Sequence, residues 1–513
     1  MLGNESALAA AMLGVPVLVA GAAFLFGRQS PRRFGQLGAI TAGAGFLGAV
    51  LLAIISGRGH EVSWTVLGAE FRADRLAAVL LLLVFGVSAI VQTFAVRYLA
   101  GDPRGAWFAG GAGLLTAASA GLTTASTLIA LAICWTLAGV SLCLLLATYW
   151  QLPAARDGVR RTAAAFLVGD LALWAAVAAA TAAWGPIELG AGASGDEVAG
   201  PLLAVIGVLV VFAALSRSAQ MPFHRWLPAT LAAPTPVSAL LHAGVVNAGG
   251  ILLIRLAPLT SDELARVLTI GAGAATMAYG AVVMLVKPDI KGALAHSTTA
   301  QMGFMILTCG LGLWAAAVIH LFAHGFYKST LFLSSGSAIA ARRRHESLPP
   351  EQRPTRAARL VNAVAAVALP GAALAAAVTL VPPAPGGHAA EQALLIFAWV
   401  TGMAVTWGWL RRRPGAGGLI AGAAVLTPAA VAYVALVNTL SGFLAPALPP
   451  ETLSAAMVWG ITAAAALALG VLAVIRRAPG AERLRRTLYA NALAAGHVPA
   501  QFTSPVLTTG VRL

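Results

Sequence analysis

The sequence predicts an all-α polytopic membrane protein with about 14–16 transmembrane helices. Three observations lead to this fold class: 59% of the 513 residues are hydrophobic, only 10% are charged, and the mean hydropathy is +0.85. A soluble chain of this length would form several domains with charged surfaces, and the charges here are too few to cover such surfaces. The 55 glycines suit helices that approach one another closely in lipid.

About fifteen segments have the apolar character and the roughly 20-residue length of a membrane span. The first of them has neither a basic n-region nor a small-residue cleavage site, so we expect it to be retained rather than removed as a signal peptide. The spans lie near residues 6–26, 35–56, 75–96, 106–122, 125–149, 162–184, 201–216, 234–256, 264–286, 296–312, 314–340, 358–381, 390–410, 416–443 and 454–475.

Two segments outside the spans have patterns of their own. Residues 57–74 alternate apolar and polar side chains, and this period of two predicts a short β-hairpin in an outside loop. Residues 477–513 form a polar tail, in which we predict a surface helix around 482–489.

Basic residues alternate between the loops and set the predicted orientation. By count, 27 of the 33 lysines and arginines fall on one side of the predicted spans, and such an excess marks the cytoplasmic side. The N-terminus is then predicted outside and the C-terminal tail in the cytoplasm of a bacterial cell, with the chain crossing the inner membrane many times. This distribution accounts for the net charge of +15 without nucleic acid as a partner.

Ionisable side chains inside a span are costly in lipid, so each is a candidate for function. Asp170 is the one acidic residue placed well inside a span, and Arg217 lies at the predicted cytoplasmic end of the seventh span. In the eleventh span, His320, His324 and Lys328 follow an i, i+4, i+8 spacing and therefore share one helix face. Because histidine titrates near neutral pH, such a stripe can relay protons.

Two other interpretations of this stripe stay open. One is a structural polar network held by fixed hydrogen bonds. The other is a zinc site at His320 and His324, which is disfavoured because no third ligand lies nearby in the sequence and the lysine one turn on would repel the cation. The chain itself carries no catalytic site, cofactor motif or zinc motif.

The eighth span predicts a broken helix. It begins with Pro234 and Pro236, carries His242 and Asn247 in its middle, and contains a Gly-Gly pair. Prolines and glycines interrupt helices in membranes, and the freed carbonyl groups with their water mark ion paths in transporters.

Three long motifs resemble signatures of a known family. They are 216–243 (SRSAQMPFHRWLPATLAAPTPVSALLHA), 287–307 (KPDIKGALAHSTTAQMGFMIL) and 320–337 (HLFAHGFYKSTLFLSSGS). Over about 60–340, the chain is similar to the antiporter-like, proton-translocating membrane subunits that NADH-quinone oxidoreductase (its subunit L) shares with Mrp antiporters. The resemblance implies two inverted five-helix repeats, each with a broken helix, joined by a central polar axis.

The resemblance also divides the chain and assigns roles to residues. It implies N-terminal helices at 1–105, a first repeat at 106–256, a second repeat at 257–410, C-terminal helices at 411–476 and a cytoplasmic tail at 477–513. Asp170 matches an acid of the family and Arg217 stands at its channel lysine, so a buried ion pair is expected. The implied proton path comprises His242, Lys291, His320, His324 and Lys328.

Departures from the family pattern concern the proton path. Where the family has Trp-Glu in its fifth helix, this chain has Trp135-Thr136, and Arg217 cannot release its proton as a lysine can. The twelfth span reads VALPGAALAAA in place of the family's Gly-Phe-x-Ser-Lys, and no long lateral amphipathic helix follows the last spans. We therefore expect the first half not to carry protons in the usual way.

Among family members, the chain most resembles the membrane subunits of DAB-type inorganic carbon pumps. These imply a large cytoplasmic zinc-dependent partner similar to a carbonic anhydrase, which hydrates CO2 while the membrane subunit supplies cation movement; the expected zinc belongs to that partner. The alternatives are a proton-pumping subunit of an NADH-quinone oxidoreductase or hydrogenase-type complex, an Mrp-type Na⁺/H⁺ antiporter subunit, and a passive membrane scaffold.

Overall fold

A computed structural model describes residues 2–189, 200–337, 356–382, 389–449, 456–457, 460 and 482–496. Helices lie at all of the first fourteen predicted spans, and the fold class predicted from the sequence is confirmed. The fifteenth, near 454–475, falls almost entirely outside the described residues. In chain order the helices are α1 Leu2–Phe26, α2 Pro31–Gly57, α3 Arg75–Tyr98, α4 Gly105–Thr124, α5 Leu128–Leu146, α6 Pro153–Trp184, α7 Pro201–Arg217, α8 Thr235–Ala243, α9 Ala248–Arg255, α10 Glu263–Met284, α11 Ile290–Gly310, α12 Trp314–Leu333, α13 Arg356–Leu380, α14 Ala389–Arg412, α15 Ala416–Leu444 and α16 Glu482–Ala495.

Ten helices of the described part are long and apolar enough to cross a membrane, with α8 and α9 counted as one. Helices α4, α11 and α12 have 20 or 21 residues, but their glycine, threonine, histidine or lysine side chains lower the hydropathy. Helix α7 is apolar and has 17 residues. Most residues of these four helices are buried against other helices, so they do not need a fully apolar surface.

The loop between α2 and α3 forms the predicted hairpin. Strands β1 (Val62–Val66) and β2 (Ala69–Ala73) pair antiparallel, with Trp64 opposite Phe71 and their rings stacked at 5.9 Å. The turn places Leu67 and Gly68 at φ angles of 51° and 81°, as a two-residue hairpin of this twist requires. The prediction for residues 57–74 is confirmed.

The predicted surface helix of the tail is present as α16, and most of its side chains are exposed. Its C-terminal end contacts α10 and the loop that follows. The Tyr279 hydroxyl donates to the carbonyl oxygen of Ala495 at 3.0 Å, and Lys287 Nζ donates to that of Gly496 at 2.6 Å.

The helix of the eighth span is broken, as its prolines and glycines predict, and the break lies at 244–247. Helix α8 ends at Ala243, a short 3-10 helix Val245–Asn247 follows, and α9 continues to Arg255. Asn247 Nδ2 donates to the Ala243 carbonyl oxygen at 2.7 Å and so satisfies a carbonyl that the break exposes. In the second half, α13 contains Pro370 and runs as one helix, so the second broken helix that the resemblance implies is not seen at this span.

Helices α10 and α11 meet along glycines. A Cβ atom on Gly273, Gly280 or Gly303 would lie only 2.4–2.6 Å from a backbone nitrogen of the facing helix. We call these three residues the glycine seam. Since neither backbone can retreat from such a contact without separating the helices, only glycine fits at these positions.

A buried ion pair links the start of α3, next to the hairpin, to the end of α9, the second part of the broken helix. Asp74 caps α3 by accepting from Ala77 N at 2.6 Å, and it also accepts from Arg255 Nη1 at 2.7 Å. Arg255, the last residue of α9, donates in addition to the Thr123 carbonyl oxygen at the end of α4. Arg255 lies at the end of the eighth predicted span, and no local sequence pattern indicates this pair.

Candidate functional site

The expected ion pair lies between α5, α6 and α7. Arg217, only 1% exposed, places Nη2 2.7 Å from Asp170 Oδ1 and donates through Nη1 to the Trp135 carbonyl oxygen at 3.2 Å. The Trp135 indole donates to the same carboxylate oxygen at 2.7 Å. The guanidinium carbon lies 4.4 Å from the Trp135 ring centroid and 4.1 Å from that of Phe166. Both charges are therefore matched and held in place.

At the position of the family's glutamate, Thr136 offers no carboxylate. Its hydroxyl accepts a hydrogen bond from the Trp174 indole at 3.1 Å. Neither the threonine here nor Arg217, which keeps its proton, can both take and release a proton near neutral pH.

The second candidate site is the α12 stripe, where His324 has oxygen atoms at both ring nitrogens. Nδ1 lies 2.5 Å from Gln301 Oε1, and Nε2 lies 3.2 Å from the His242 carbonyl oxygen at the end of α8. A neutral imidazole donates from one nitrogen only, whereas imidazolium donates from both. The site therefore suits a protonated ring, and it suits a neutral ring once the Gln301 amide turns its NH2 toward Nδ1.

Lys328 is fully buried one turn further along α12. Its ammonium donates to Ser297 Oγ at 2.9 Å and to the Leu294 carbonyl oxygen at 3.5 Å. Gln301 Nε2 donates to the same Ser297 oxygen at 3.4 Å. A continuous chain of hydrogen bonds thus runs from His324 through Gln301 and Ser297 to Lys328.

The side chains of His242, His320 and Lys291 lie close to this hydrogen-bond chain but are not links in it. His242 contacts Thr298 Oγ1 through Nδ1 at 3.1 Å, and the Thr298 hydroxyl donates to Leu294 O, which Lys328 also contacts. The His320 ring lies 5.6 Å from the His324 ring between centroids. Lys291, at the start of α11, donates to the Ala233 carbonyl oxygen at 3.1 Å.

Sequence reasoning missed Ser297 and Gln301, the two residues that connect the stripe. Both lie in the motif 287–307, and their i, i+4 spacing places them on one face of α11. That spacing was a usable signal, since the face also had to meet a partner helix. Within the described ranges, no three histidine, cysteine, aspartate or glutamate side chains are grouped so that they could hold a metal ion.

Comparison with known proteins decides the family. Residues 125–411 match the model described as NADH:quinone oxidoreductase/Mrp antiporter, transmembrane, which is more than half of the chain. The chain belongs to this family. Residues 63–109 match a second model, the N-terminus of chain 5 of NADH-ubiquinone oxidoreductase (complex I). The structure is thus that of an antiporter-like membrane subunit.

Three relatives illustrate the range of this family. The probable inorganic carbon transporter subunit DabB1 of Halothiobacillus neapolitanus is 35% identical over 367 residues, 67% of this chain and 65% of that protein. The DabB subunit of Bacillus subtilis is 34% identical over 371 residues, 70% of each chain. NADH-quinone oxidoreductase subunit L of Mycobacterium tuberculosis is 34% identical over 348 residues, 64% of this chain and 55% of that protein. The match thus spans between 55% and 70% of the length of these relatives.

A solved structure supports the fold. A chain of the Mrp complex from Dietzia sp. DQ12-45-1b is similar with a TM-score of 0.62 and 24% sequence identity, covering 95% of this chain and 58% of that one. The antiporter-like subunits named here all belong to multi-subunit assemblies.

Proposed function

We propose that this antiporter-like subunit translocates protons and thereby energises the accumulation of inorganic carbon, as CO2 or bicarbonate, by a cytoplasmic carbonic-anhydrase-like partner. The observation that carries the proton step is the continuous chain His324–Gln301–Ser297–Lys328. It joins two groups able to change protonation state through side chains that can both donate and accept hydrogen bonds.

This chain of hydrogen bonds can move a proton when its side chains rearrange locally. Lys328 gives a proton to Ser297 Oγ as the hydroxyl proton of Ser297 passes to a bridging water, and that water gives a proton to Nδ1 of a neutral His324. Lys328 is then a neutral amine and His324 an imidazolium, so one proton has moved between the two groups. The Gln301 amide turns its Oε1 toward the new Nδ1–H and carries no proton itself.

The first half acts as a fixed element in this proposal. Arg217 and Asp170 neutralise each other and hold α5, α6 and α7 together. Transport then runs through the second half, along His242, His320, His324 and Lys328. Lys291 lies at the end of α11 that faces the basic loops. Proton release takes a route other than α13, which has VALPGAALAAA where the family carries its lysine.

The carbon-accumulating role rests on the relatives. Two of them are named as probable inorganic carbon transporter subunits, and their matched segments cover 65% and 70% of those proteins. By this analogy, the partner is a large zinc-dependent cytoplasmic subunit that converts CO2 to bicarbonate. The zinc belongs to that partner, and this subunit supplies the proton movement.

A second candidate function is proton pumping in a redox complex, since a subunit L is 34% identical over 348 residues. The same hydrogen-bond chain would serve it. The two functions differ in the protein that copurifies: a zinc-containing soluble subunit in the first, and quinone-reductase or hydrogenase subunits in the second. An Mrp-type antiporter would instead show sodium-dependent proton movement.

The test is Lys328→Met, expressed with the neighbouring genes in a host that needs added CO2 because it lacks carbonic anhydrase. We expect the complex to assemble in normal amount while growth in air and bicarbonate uptake are lost. Lys328→Arg keeps the charge and the contact with Ser297 but cannot release a proton, so we expect the same loss. Tyr327→Phe is the matched control, because Tyr327 is adjacent on α12 and 56% exposed.

Two results would contradict the proposal. Full uptake by an assembled Lys328→Met complex would show that no proton passes through this residue. Copurification with redox subunits, and wild-type expression that gives no growth in air, would replace the carbon role with the second candidate.

A further inference from the structure

His296 is a buried titratable residue that the proposed path does not use. It lies on α11 directly before Ser297, is 1% exposed, and within the described part of the chain neither of its ring nitrogens has a hydrogen-bond partner. Buried polar groups in proteins are nearly always hydrogen-bonded to protein or to ordered water. A ring with both nitrogens unpartnered therefore points to water as its partner.

Two aromatic rings connect His296 to the end of α10. The Tyr279 ring contacts the His296 ring edge to face at 5.9 Å, and the His224 ring contacts the Tyr279 ring at 4.7 Å. The Tyr279 hydroxyl reaches the surface, where it donates to Ala495 O beneath the end of α16. Tyr279 thus extends from the His296 ring to the surface where the end of α16 lies.

Charged groups at this surface are mostly basic. Arg225 follows His224, Lys287 donates to Gly496 O, and Asp289 caps α11 by accepting from Gly292 N at 2.5 Å. Ser297, the next residue of α11, accepts from Lys328. Because neighbouring side chains on a helix diverge by about 100°, His296 contacts Tyr279 of α10 while Ser297 contacts Lys328 of α12, and water would have to bridge the two side chains.

We propose that His296 is a proton-transfer site, bridged by water, that connects Lys328 with the loop beneath the end of α16. This inference rests on the proposed proton function and adds an access route to it. A water on the loop side gives a proton to one ring nitrogen, and the other nitrogen gives its proton to a water beside Ser297. The ring is neutral before and after, with the proton moved from one nitrogen to the other. A phenylalanine would pack equally well here but could not make this transfer.

The first test examines water and does not depend on transport. The full chain, with ¹⁵N-labelled histidine, is reconstituted in lipid bilayers and studied by solid-state NMR, with His296→Phe assigning the signals. We expect both ring nitrogens of His296 to exchange magnetisation with water protons. A ring without water contact at either nitrogen overturns the inference, whatever the chain transports.

The second test measures proton flux in liposomes that contain the full chain, using a pH-sensitive dye and an imposed potential. We expect His296→Phe to lower the flux by roughly a hundredfold, the low end for a positioned proton-transfer group. In His296→Ala, added imidazole should restore flux, which a purely structural role would not allow. His60→Phe, in the exposed outside loop, is the control.

The outcomes separate the inference from the function on which it rests. Flux that falls in Lys328→Met but stays normal in His296→Phe overturns the His296 site and leaves the proposed function intact. Equal flux in wild type and Lys328→Met contradicts the proposed function itself. Flux lost in both variants, with imidazole rescue confined to His296→Ala, supports both.

Discussion

Arg217 shows what a buried charge requires in this fold. Its guanidinium lies between two aromatic rings, donates to a carboxylate and a carbonyl oxygen, and is almost completely shielded from solvent. A planar group with several donors fits this arrangement, whereas the point charge of a lysine can contact the carboxylate without stacking between the rings. The position has therefore become a structural anchor where the family has a titratable lysine.

We predict that Arg217→Ala destabilises the subunit by about 3–5 kcal/mol, because it leaves the Asp170 carboxylate buried without a counter-charge. Arg217→Lys should cost less, since it keeps the charge. The double variant Arg217→Met with Asp170→Asn should recover much of the loss, because no charge remains uncompensated. Thermal stability of detergent-purified protein measures all three, and equal stability of Arg217→Ala and wild type would show that the pair contributes nothing.

The residues of the second candidate site were partly predictable from the sequence. The spacing along a single helix predicts that His320, His324 and Lys328 share a face, because that face follows from helix geometry alone. Ser297 and Gln301 gain their importance only from facing α12, and His296 only from having no protein partner. The i, i+4 spacing of Ser297 and Gln301 indicates that they share a face of α11, but which helix that face contacts, and whether His296 finds a partner, depends on other helices and could not be predicted from a local pattern.

Among the elements, α10 and α11 form the closest helix pair described above. The glycine seam brings the backbones so near that an added methyl group meets main-chain atoms rather than flexible side chains. Helix packing in lipid depends on such contacts because the hydrophobic effect does not drive helices together there.

We predict that Gly280→Ala separates these helices and destabilises the protein by about 1–3 kcal/mol, the usual cost of overpacking. Its Cβ would lie 2.5 Å from Ala300 N. Gly271→Ala is the matched control on the same helix, because its Cβ would meet nothing within 4 Å. Thermal stability in detergent compares them, and similar values for the two variants would disprove the importance of the seam.

The resemblance implies a helix break in each half, but only the eighth span is broken and α13 is continuous, for a physical reason. In the eighth span, Gly244 stands at the point where the backbone leaves the helix, and Asn247 supplies a donor to a freed carbonyl. Pro370 in α13 lacks an N–H group and is followed directly by Gly371, but the residues around it carry no polar side chain like that of Asn247, and the helix continues. A proline with a glycine therefore indicates an interruption less reliably than a proline and a glycine joined by a polar side chain that can satisfy a freed carbonyl.

For the whole molecule, the distribution of basic residues predicts its orientation in the membrane. Reporter fusions placed after Arg413, which follows α14, and at Ser261, which precedes α10, should lie in different compartments, with the Arg413 site in the cytoplasm. Alkaline phosphatase is active only outside the cytoplasm and green fluorescent protein only inside, so paired fusions give opposite signals at the two sites. Activity of the same reporter at both would disprove the predicted arrangement of spans.

The glycine seam has a mechanical consequence for this membrane subunit. Since the backbones of α10 and α11 approach each other at three glycines too closely to admit a Cβ atom, we expect the two helices to resist sliding and to move as one rigid body. Displacement on the microsecond-to-millisecond scale of helix motions is then left to the boundary between α11 and α12. The contacts of Gln301 with His324 and of Ser297 with Lys328 cross that boundary. A small displacement of α12 along α11 would break or form both of these contacts together. Proton transfer and helix movement would then be coupled.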